Sequence, residues 1–430
     1  MSTLPRKLLI IGGGFAGLEC ASKLANDDRF EITLVDRTNH HLFQPLLYQV
    51  ASASLAAPDI SRSIRQILAD AKNVTVLMDE ISSIDTAAKQ AVGSSGTVYP
   101  YDTLLLAAGA RTGYFGNDGW AKHSLGLKSL ADAQNIRRTV LSNLERAELT
   151  TDAAERGRLM TIAIVGGGPT GVELAGAFAD LVHRSLRSNF RRIDTSTLRI
   201  ILIEGSELIL ETFDPEQSLY ARKRLEKLGV EIRNNTRVID VRAGALDFKD
   251  GTSLEAAAII WAAGVAASPL TASIRVPTGR GGRITPNPDL SVPGHPDIFV
   301  AGDLVSMKDS EDKMVPGVAP AAVQMGTHIA KILMAQASGD LKRPPFRYFD
   351  KGMMAIIGKN YAVVKTGKFE MQGFIAWLAW LFVHIMFLIG FRNKLSVLLG
   401  WAYSYLVDTP EARIIVYPPA AIPPGKPPVA

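Results

Sequence analysis

A glycine turn that occurs twice constrains this chain more than any other feature. In the first copy, Leu8-Leu9-Ile10-Ile11 reads as a buried parallel strand. Gly12, Gly14 and Gly17 fit G-x-G-x-x-G, and the residues after them read as a helix. The three glycines serve, in order, a tight turn, close approach of backbone to a pyrophosphate, and tight helix–strand packing. The free N–H groups at the helix start face a phosphate. Phe30 to Asp36 follows as a second strand ending in an acid, and a carboxylate there suits a ribose hydroxyl. The second copy has a strand at 160–165 and the turn Gly166-Gly167-Gly168-Pro169-Thr170-Gly171. A helix then runs over 171–188, and a strand at 198–204 ends in Glu204. Turn and acid stand further apart here, which fits a loop insertion over 187–197.

Each copy also owns a third apolar strand with small residues at its exit. One is Thr103-Leu104-Leu105-Leu106-Ala107-Ala108-Gly109-Ala110, the other Ala257-Ala258-Ile259-Ile260-Trp261-Ala262-Ala263-Gly264. Two such sets make an internal repeat, hence two dinucleotide-binding domains and two dinucleotides. The run Asp297-Ile298-Phe299-Val300-Ala301-Gly302-Asp303 comes after the second set and is expected to return to the first domain's sheet. The fold class is α/β: two Rossmann-like domains, the second inserted in the first, plus a C-terminal membrane-associating helical region. The expected boundaries are 1–115 and 281–345 for the first domain and 116–280 for the second. A C-terminal region of 346–415 and a Pro-rich tail of 416–430 follow.

Composition narrows the partners. The chain has 430 residues, 47% hydrophobic and 21% charged, with a net charge of +5. The pI is near 9.1 and the mean hydropathy is +0.12, high for a soluble enzyme. A basic balance suits nucleic acid or an anionic membrane surface. With no lysine-rich tract and no RNA-binding signature, the membrane is the reading adopted. The single cysteine, Cys20, excludes an internal disulfide and a dithiol relay beside a flavin. It reads as a small buried residue of the first helix. The first strand starts so early that no signal or transit segment fits before it, so the chain is expected to stay where it is made.

Several intervening segments carry expectations. Residues 61–71 read as a helix, 81–99 as a small antiparallel excursion, 130–149 as a long amphipathic helix and 346–366 as strands. Pro320 suits the first position of a helix over 321–333. His40-His41 lacks carboxylates or cysteines at ligand spacing, so it reads as a loop beside a bound cofactor rather than a metal site. Met371 to Phe391 contains no formal charge and is long enough to be a transmembrane candidate. Its tryptophans, and Trp401 and Tyr403 after Arg392-Asn393-Lys394, favour an interfacial placement. Burial in a core or a dimer is the third reading.

One site with a flavin and one with a nicotinamide makes a hydride-transfer enzyme, in which the protein supplies placement and electrostatics. Glu204 argues for NADH over NADPH, because a carboxylate repels a 2′-phosphate. Glu173 lies just past the second turn. It reads either as an acid stabilising the helix dipole or as a carboxylate near the reacting rings that orients or moves protons. The helix near Pro320 would aim its positive end at the flavin pyrimidine.

Residues 12–36, His40-His41-Leu42-Phe43-Gln44-Pro45-Leu46-Leu47-Tyr48-Gln49-Val50, residues 166–176, Ala301-Gly302-Asp303 and residues 317–326 together resemble the type II NADH dehydrogenases, which are NADH:quinone oxidoreductases. The resemblance runs to about Val407. It implies non-covalent FAD in the first site, NADH in the second and a membrane quinone, ubiquinone or menaquinone, as acceptor. It implies a peripheral enzyme that does not pump protons. The enzyme would be held on the cytoplasmic face of the cell inner membrane by C-terminal helices, commonly as a homodimer. For FAD it implies Gly12, Gly14, Phe15, Ala16, Gly17, Asp36, Arg37, Asn39, Gln44, Ile81, Gly109 and Asp303, with Ala319 and Ala321 beside the isoalloxazine. For NADH it implies Gly166, Gly168, Pro169, Gly171, Glu173, Glu204, Ala263 and Gly264. Glu173 matches the family's active-site glutamate. The family's quinone-side pattern, Ala-Gln-x-Ala-x-Gln, stands here as Ala319-Pro320-Ala321-Ala322-Val323-Gln324. Pro320 replaces the first glutamine, leaving Gln324 as the quinone candidate, with Gln44 and Pro45 as neighbours.

Three alternatives stay open. A sulfide:quinone oxidoreductase would need a cysteine pair that Cys20 alone cannot supply. A soluble-acceptor NAD(P)H flavoprotein reductase leaves the uncharged C-terminal run without a purpose. An NAD(H)-sensing flavoprotein that acts by binding a partner is the reading from a different class.

Overall fold

The apolar runs before the two glycine turns become central strands of two parallel sheets. The computed structural model describes residues 4–186, 189–407 and 412–416. In chain order, the elements that position the site begin with β1 (Arg6–Ile11), α1 (Phe15–Lys23), β2 (Phe30–Asp36), α2 (Leu47–Ala51), β3 (Val74–Met78), β4 (Thr103–Leu106) and α3 (Leu130–Leu149). Next come β5 (Thr161–Val165), α4 (Pro169–Asp180), β6 (Arg199–Ile203), β7 (Val230–Arg233), β8 (Ala258–Trp261) and β9 (His295–Val300). The last are α5 (Ala319–Ala337), β10 (Met353–Ile356), β11 (Ala362–Thr366), β12 (Phe369–Gly373), α6 (Phe374–Phe387) and α7 (Phe391–Val407).

The chain divides into two compact units. Unit one comprises Met1–Leu42, Ser61–Phe115 and Gly264–Gly352, and unit two Phe43–Ile60, Gly116–Ala263 and Met353–Ala430. Unit one holds a six-stranded sheet in the order 291–292, β9, β4, β1, β2, β3. Only the strand at 291–292 runs antiparallel to its neighbour. The chain leaves β1 for β2 on one side and reaches β4 on the other. The C-terminal end of β1 is therefore a topological switch point, where α/β sheets bind ligands. β9 pairs with β4, so the chain returns to this sheet after the second set is complete. Unit two repeats the plan in the order 125–126, β8, β5, β6, β7, all parallel. Every residue of β4, β5 and β8 is buried, as expected of inner strands of a parallel sheet covered on both faces.

Three segments differ from the expectations. Residues 61–71 are not one helix: Ser61–Ser63 pairs antiparallel with His40–Leu42, and only Ile64–Ile67 is helical. Strand structure in 346–366 begins at Met353. The helix after the second turn is α-helical to Asp180 and continues as a wider turn over Leu181–Ser185; 187–188 lie outside the described residues.

The uncharged C-terminal run is also cut into pieces. Met371–Gly373 ends β12 of a three-stranded antiparallel sheet. Gly373 at φ 83° turns the chain into α6, and Gly390 at φ 91° separates α6 from α7. Left-handed backbone of this kind suits glycine because no Cβ opposes it. The 14 residues of α6 are about 21 Å long, against a hydrocarbon core of about 30 Å. Among the described residues no helix is long and apolar enough to cross a membrane, so the transmembrane reading falls. The Pro-rich stretch lies almost wholly outside the described residues, which resume only at 412–416.

Candidate functional site

The first turn is built for a phosphate at its open end. A Cβ on Gly12 would lie 2.3 Å from the carbonyl oxygen of Ala107, and one on Gly17 would lie 2.0 Å from that of Gly12. Gly14 has nothing within 4 Å of the same point, so the start of α1 is open there. The Asp36 carboxylate accepts the Gly13 N–H at 2.7 Å through Oδ2, and the Thr38 N–H and hydroxyl at 2.7 and 2.8 Å through Oδ1. His41 is buried and bonds the Gly13 carbonyl through Nδ1 at 3.1 Å. Burial depresses its pKa, so the neutral ring braces the turn, and Phe15 packs edge-on against it. Arg37 and Asn39 are exposed, and Ile81 is buried in the strand Ile81–Asp85. Gly109, at φ 67°, also faces open space. Asp303 sits in the turn Gly302–Leu304, and Ala319 and Ala321 belong to the first turn of α5. All these residues lie in unit one. The glycine cradle and the braced acid fit the diphosphate and ribose of a dinucleotide such as FAD.

The second turn, in unit two, repeats the device. A Cβ on Gly166 would lie 2.8 Å from the Ala263 nitrogen, and one on Gly171 would lie 1.8 Å from the Gly166 carbonyl oxygen. Gly168 and Pro169 are exposed at the start of α4. Glu204 accepts the Gly167 N–H at 2.5 Å through Oε2 and the Ser206 N–H at 2.9 Å through Oε1. Gly264, the last of the residues expected for this site, falls in unit one.

The repeat places two glutamates at the same helical position, two residues after the last glycine, and their surroundings differ. Glu19 on α1 accepts a hydrogen bond from Thr327 at 2.8 Å and lies 3.7 Å from Lys23. Glu173 on α4 has, among the described residues, only the Ile356 N–H at 3.4 Å. It keeps some accessible surface because it lines a cavity, yet the surrounding protein desolvates it and pushes its pKa up to about 8. An acid so raised holds a proton at neutral pH and can release it, which marks a functional candidate.

That cavity has a volume of about 590 Å³ and lies wholly in unit two. Glu173, Ala177 and Asp180 form its α4 wall, a spacing that puts all three on one helical face, and Leu181 extends it from the wider turn that follows. Tyr48 and Gln49 enter from α2, Trp377 and Trp380 from α6, and Leu398 and Trp401 from α7. Tyr48, Gln49 and Trp380 are buried, whereas Leu378, Phe382 and Leu398 are 46%, 68% and 52% exposed. The lining therefore combines buried side chains that carry polar atoms with exposed apolar ones. Of this lining, the sequence reading nominated Glu173 and missed the rest. Its signals were the i, i+4, i+7 stripe starting at Glu173 and the Trp377/Trp380 spacing on a helix that is apolar apart from His384.

The profile of the pyridine nucleotide-disulphide oxidoreductase family matches residues 6–326. The type II NADH:quinone oxidoreductase NdhA of Mycobacterium tuberculosis is 42% identical over 415 residues, covering 93% of this chain and 87% of the relative. The chain belongs to the type II NADH:quinone oxidoreductases. The NDH2 of Plasmodium falciparum, solved in complex with NADH, superposes with a TM-score of 0.86 at 21% identity, over 96% of this chain and 100% of that one, and shows the same fold. The sulfide:quinone oxidoreductase of Aquifex aeolicus also shares the fold, with a TM-score of 0.70 at 15% identity over 94% and 96% of the two chains.

Against this type II background, the residues nominated for quinone stand as follows. Gln324 spends both ends of its amide on Phe349, donating to its carbonyl and accepting its N–H, each at 2.9 Å. Gln44 is exposed and donates to the Lys128 carbonyl at 3.2 Å, and Pro45 is half-buried. Neither Gln324, Gln44 nor Pro45 lines the cavity. Pro320 is accommodated because the second position of α5 has no intrahelical acceptor for an N–H.

Proposed function

We propose that this enzyme passes electrons from NADH, held at the second glycine turn, through FAD, held at the first, to a membrane quinone in the unit-two cavity. The reaction moves no protons across the membrane. FAD and NADH are its cofactors. Bound FAD would supply the chemistry that accepts a hydride, two electrons and one proton, from NADH and passes the two electrons on to the quinone. The chain's own residues bind, brace and exclude water. Asp36 and Glu204 tie their turns and meet ribose hydroxyls, and Glu173 holds a proton beside the cavity. The observation that carries the acceptor's class is the cavity itself: the polar atoms of buried Tyr48 and Gln49 suit a quinone head, and exposed Leu378, Phe382 and Leu398 in the same lining suit an isoprenoid tail.

The outer faces of α6 and α7 support attachment to a lipid surface. Ile375, Met386, Phe391 and Leu399 are 69%, 54%, 80% and 59% exposed, and residues 371–407 carry only the cations Arg392 and Lys394. Short helices of this kind lie in the interface rather than spanning it. We place the enzyme on the cytoplasmic face of the cell inner membrane, as a homodimer. The test is a spectrum of the purified protein. Flavin absorbance, bleached by NADH and restored by a soluble quinone analogue, is expected. A flavin that NADH bleaches but quinone does not restore would point to another acceptor, and slow bleaching without turnover to a sensor.

A further inference from the structure

The cavity contains a hydrogen-bond chain whose direction is fixed by chemistry. The Trp401 indole N–H donates to Gln49 Oε1 at 2.8 Å, and Gln49 Nε2 donates to the Tyr48 hydroxyl oxygen at 2.9 Å. Indole can only donate, so the amide oxygen must face Trp401 and the amide NH₂ must face Tyr48. The chain therefore has one orientation, with no ambiguity from an amide flip. Tyr48 and Gln49 are 4% and 7% exposed, so water does not compete for these bonds. The Tyr48 oxygen accepts from Gln49, which turns its own O–H hydrogen elsewhere. Both side chains line the cavity, as do Glu173, Asp180 and Lys359, the charged groups that face it from α4 and from the strand connection at 358–359. Trp380 lines the same space with an indole N–H that is buried and has no acceptor among the described residues.

The geometry points to Tyr48 as the donor that meets a quinone carbonyl, with Gln49 and Trp401 as positioning residues that aim its hydroxyl. This rests on the reading that the cavity takes the quinone. A quinone carbonyl only accepts, so its site must present donors; Tyr48 and Trp380 are buried donors that line the cavity, beside the Gln49 amide and the Glu173 carboxyl. Trp401 stands on α7, so the helix that meets the lipid also sets the aim of a hydroxyl inside the cavity. Asn393 and Ser396 hold α7 in register, donating to the Pro58 and Asp59 carbonyls at 3.0 Å and to the Asp59 carboxylate at 2.8 Å.

The experiment uses the FAD-loaded full chain and a short-chain ubiquinone analogue. Tyr48→Phe removes the donor, and Trp401→Phe removes only the first link while keeping an aromatic ring. Gln49→Glu leaves an acceptor for Trp401 and takes away the donor to Tyr48, drawing the tyrosine hydrogen toward itself. Each is expected to raise the KM for the quinone roughly five- to tenfold, the effect of one hydrogen bond to a buried partner. The Tyr48→Phe/Trp401→Phe double variant is expected to match Tyr48→Phe alone, because Trp401 acts through that hydroxyl. Flavin content and Tm of each variant report packing damage separately. Ala177→Phe, which fills the cavity from α4, tests the underlying reading. If it raises the quinone KM while Trp401→Phe does not, or while the double variant is multiplicative, the relay is overturned and the cavity stands. If Ala177→Phe leaves that KM unchanged, the cavity is not the quinone site and both fall.

Discussion

At the scale of single residues, two carboxylates carry opposite assignments. Glu173 is raised to about 8 from an ordinary 4.5 by desolvation, with the Ile356 N–H opposing. Below pH 4.5 the group is neutral folded and unfolded. Between 4.5 and about 8 the unfolded chain has lost a proton that the folded chain keeps, so this group's stability contribution declines as pH rises through the folded pKa. Glu173→Gln is therefore expected to flatten the fall in Tm between pH 6 and 8.5. It should also remove an ionisation near pH 8 from the kcat profile with quinone. A profile identical to that of the parent chain would argue against a proton-handling role. Glu204 faces a different test. Its carboxylate repels a 2′-phosphate while accepting the Gly167 and Ser206 N–H groups, so Glu204→Gln keeps one of the two accepted bonds and loses the repulsion. NADH is expected to exceed NADPH in kcat/KM in the parent, with the variant gaining on NADPH by roughly tenfold, about 1.4 kcal/mol. Equal kcat/KM values in the parent would remove Glu204 from any role in specificity.

Among the elements, the C-terminal pair α6 and α7 is the one proposed to hold the enzyme on a lipid surface. Burying one exposed Ile or Leu in lipid contributes about 1.5–3 kcal/mol. Replacing Ile375 and Leu399 together by Asp is expected to cut binding to vesicles more than tenfold, read by sedimentation, while flavin content stays normal. Retention on vesicles would assign the apolar face to another copy of the chain. The glycine turns, their strands and the acids ending them were legible because each rests on local chemistry: period, glycine freedom, a carboxylate at a strand end. The C-terminal run was not, because an uncharged stretch looks the same whether it spans, lies flat or packs inward. Only Gly373 and Gly390, each at positive φ, cut it into short helices. Likewise Ser61–Ser63 reads as helix from sequence because its pairing partner, His40–Leu42, lies some twenty residues away in the chain.

At the scale of the whole molecule, two copies of one device have been given different work. Residues 166–204 repeat 12–36 in plan, yet the repeated glutamate is tied to a threonine in one copy and lines an apolar cavity in the other. That divergence was beyond the sequence, because Tyr48, Glu173, Trp380 and Trp401 stand far apart in the chain and only the folded backbone of unit two collects them. Asp36→Ala should release flavin, since three donors lose their acceptor at a cost of about 1–3 kcal/mol for a charged partner. The expected readout is a lower flavin-to-protein absorbance ratio after gel filtration. The exposed apolar side chains that α6 and α7 give the cavity lining have a further consequence. An enzyme that draws its acceptor from a film of lipid works in two dimensions. Its saturation then follows the mole fraction of quinone in that film rather than moles per litre of buffer, and diluting quinone-bearing vesicles with empty, fusing lipid should slow turnover even when the total quinone in the tube is unchanged.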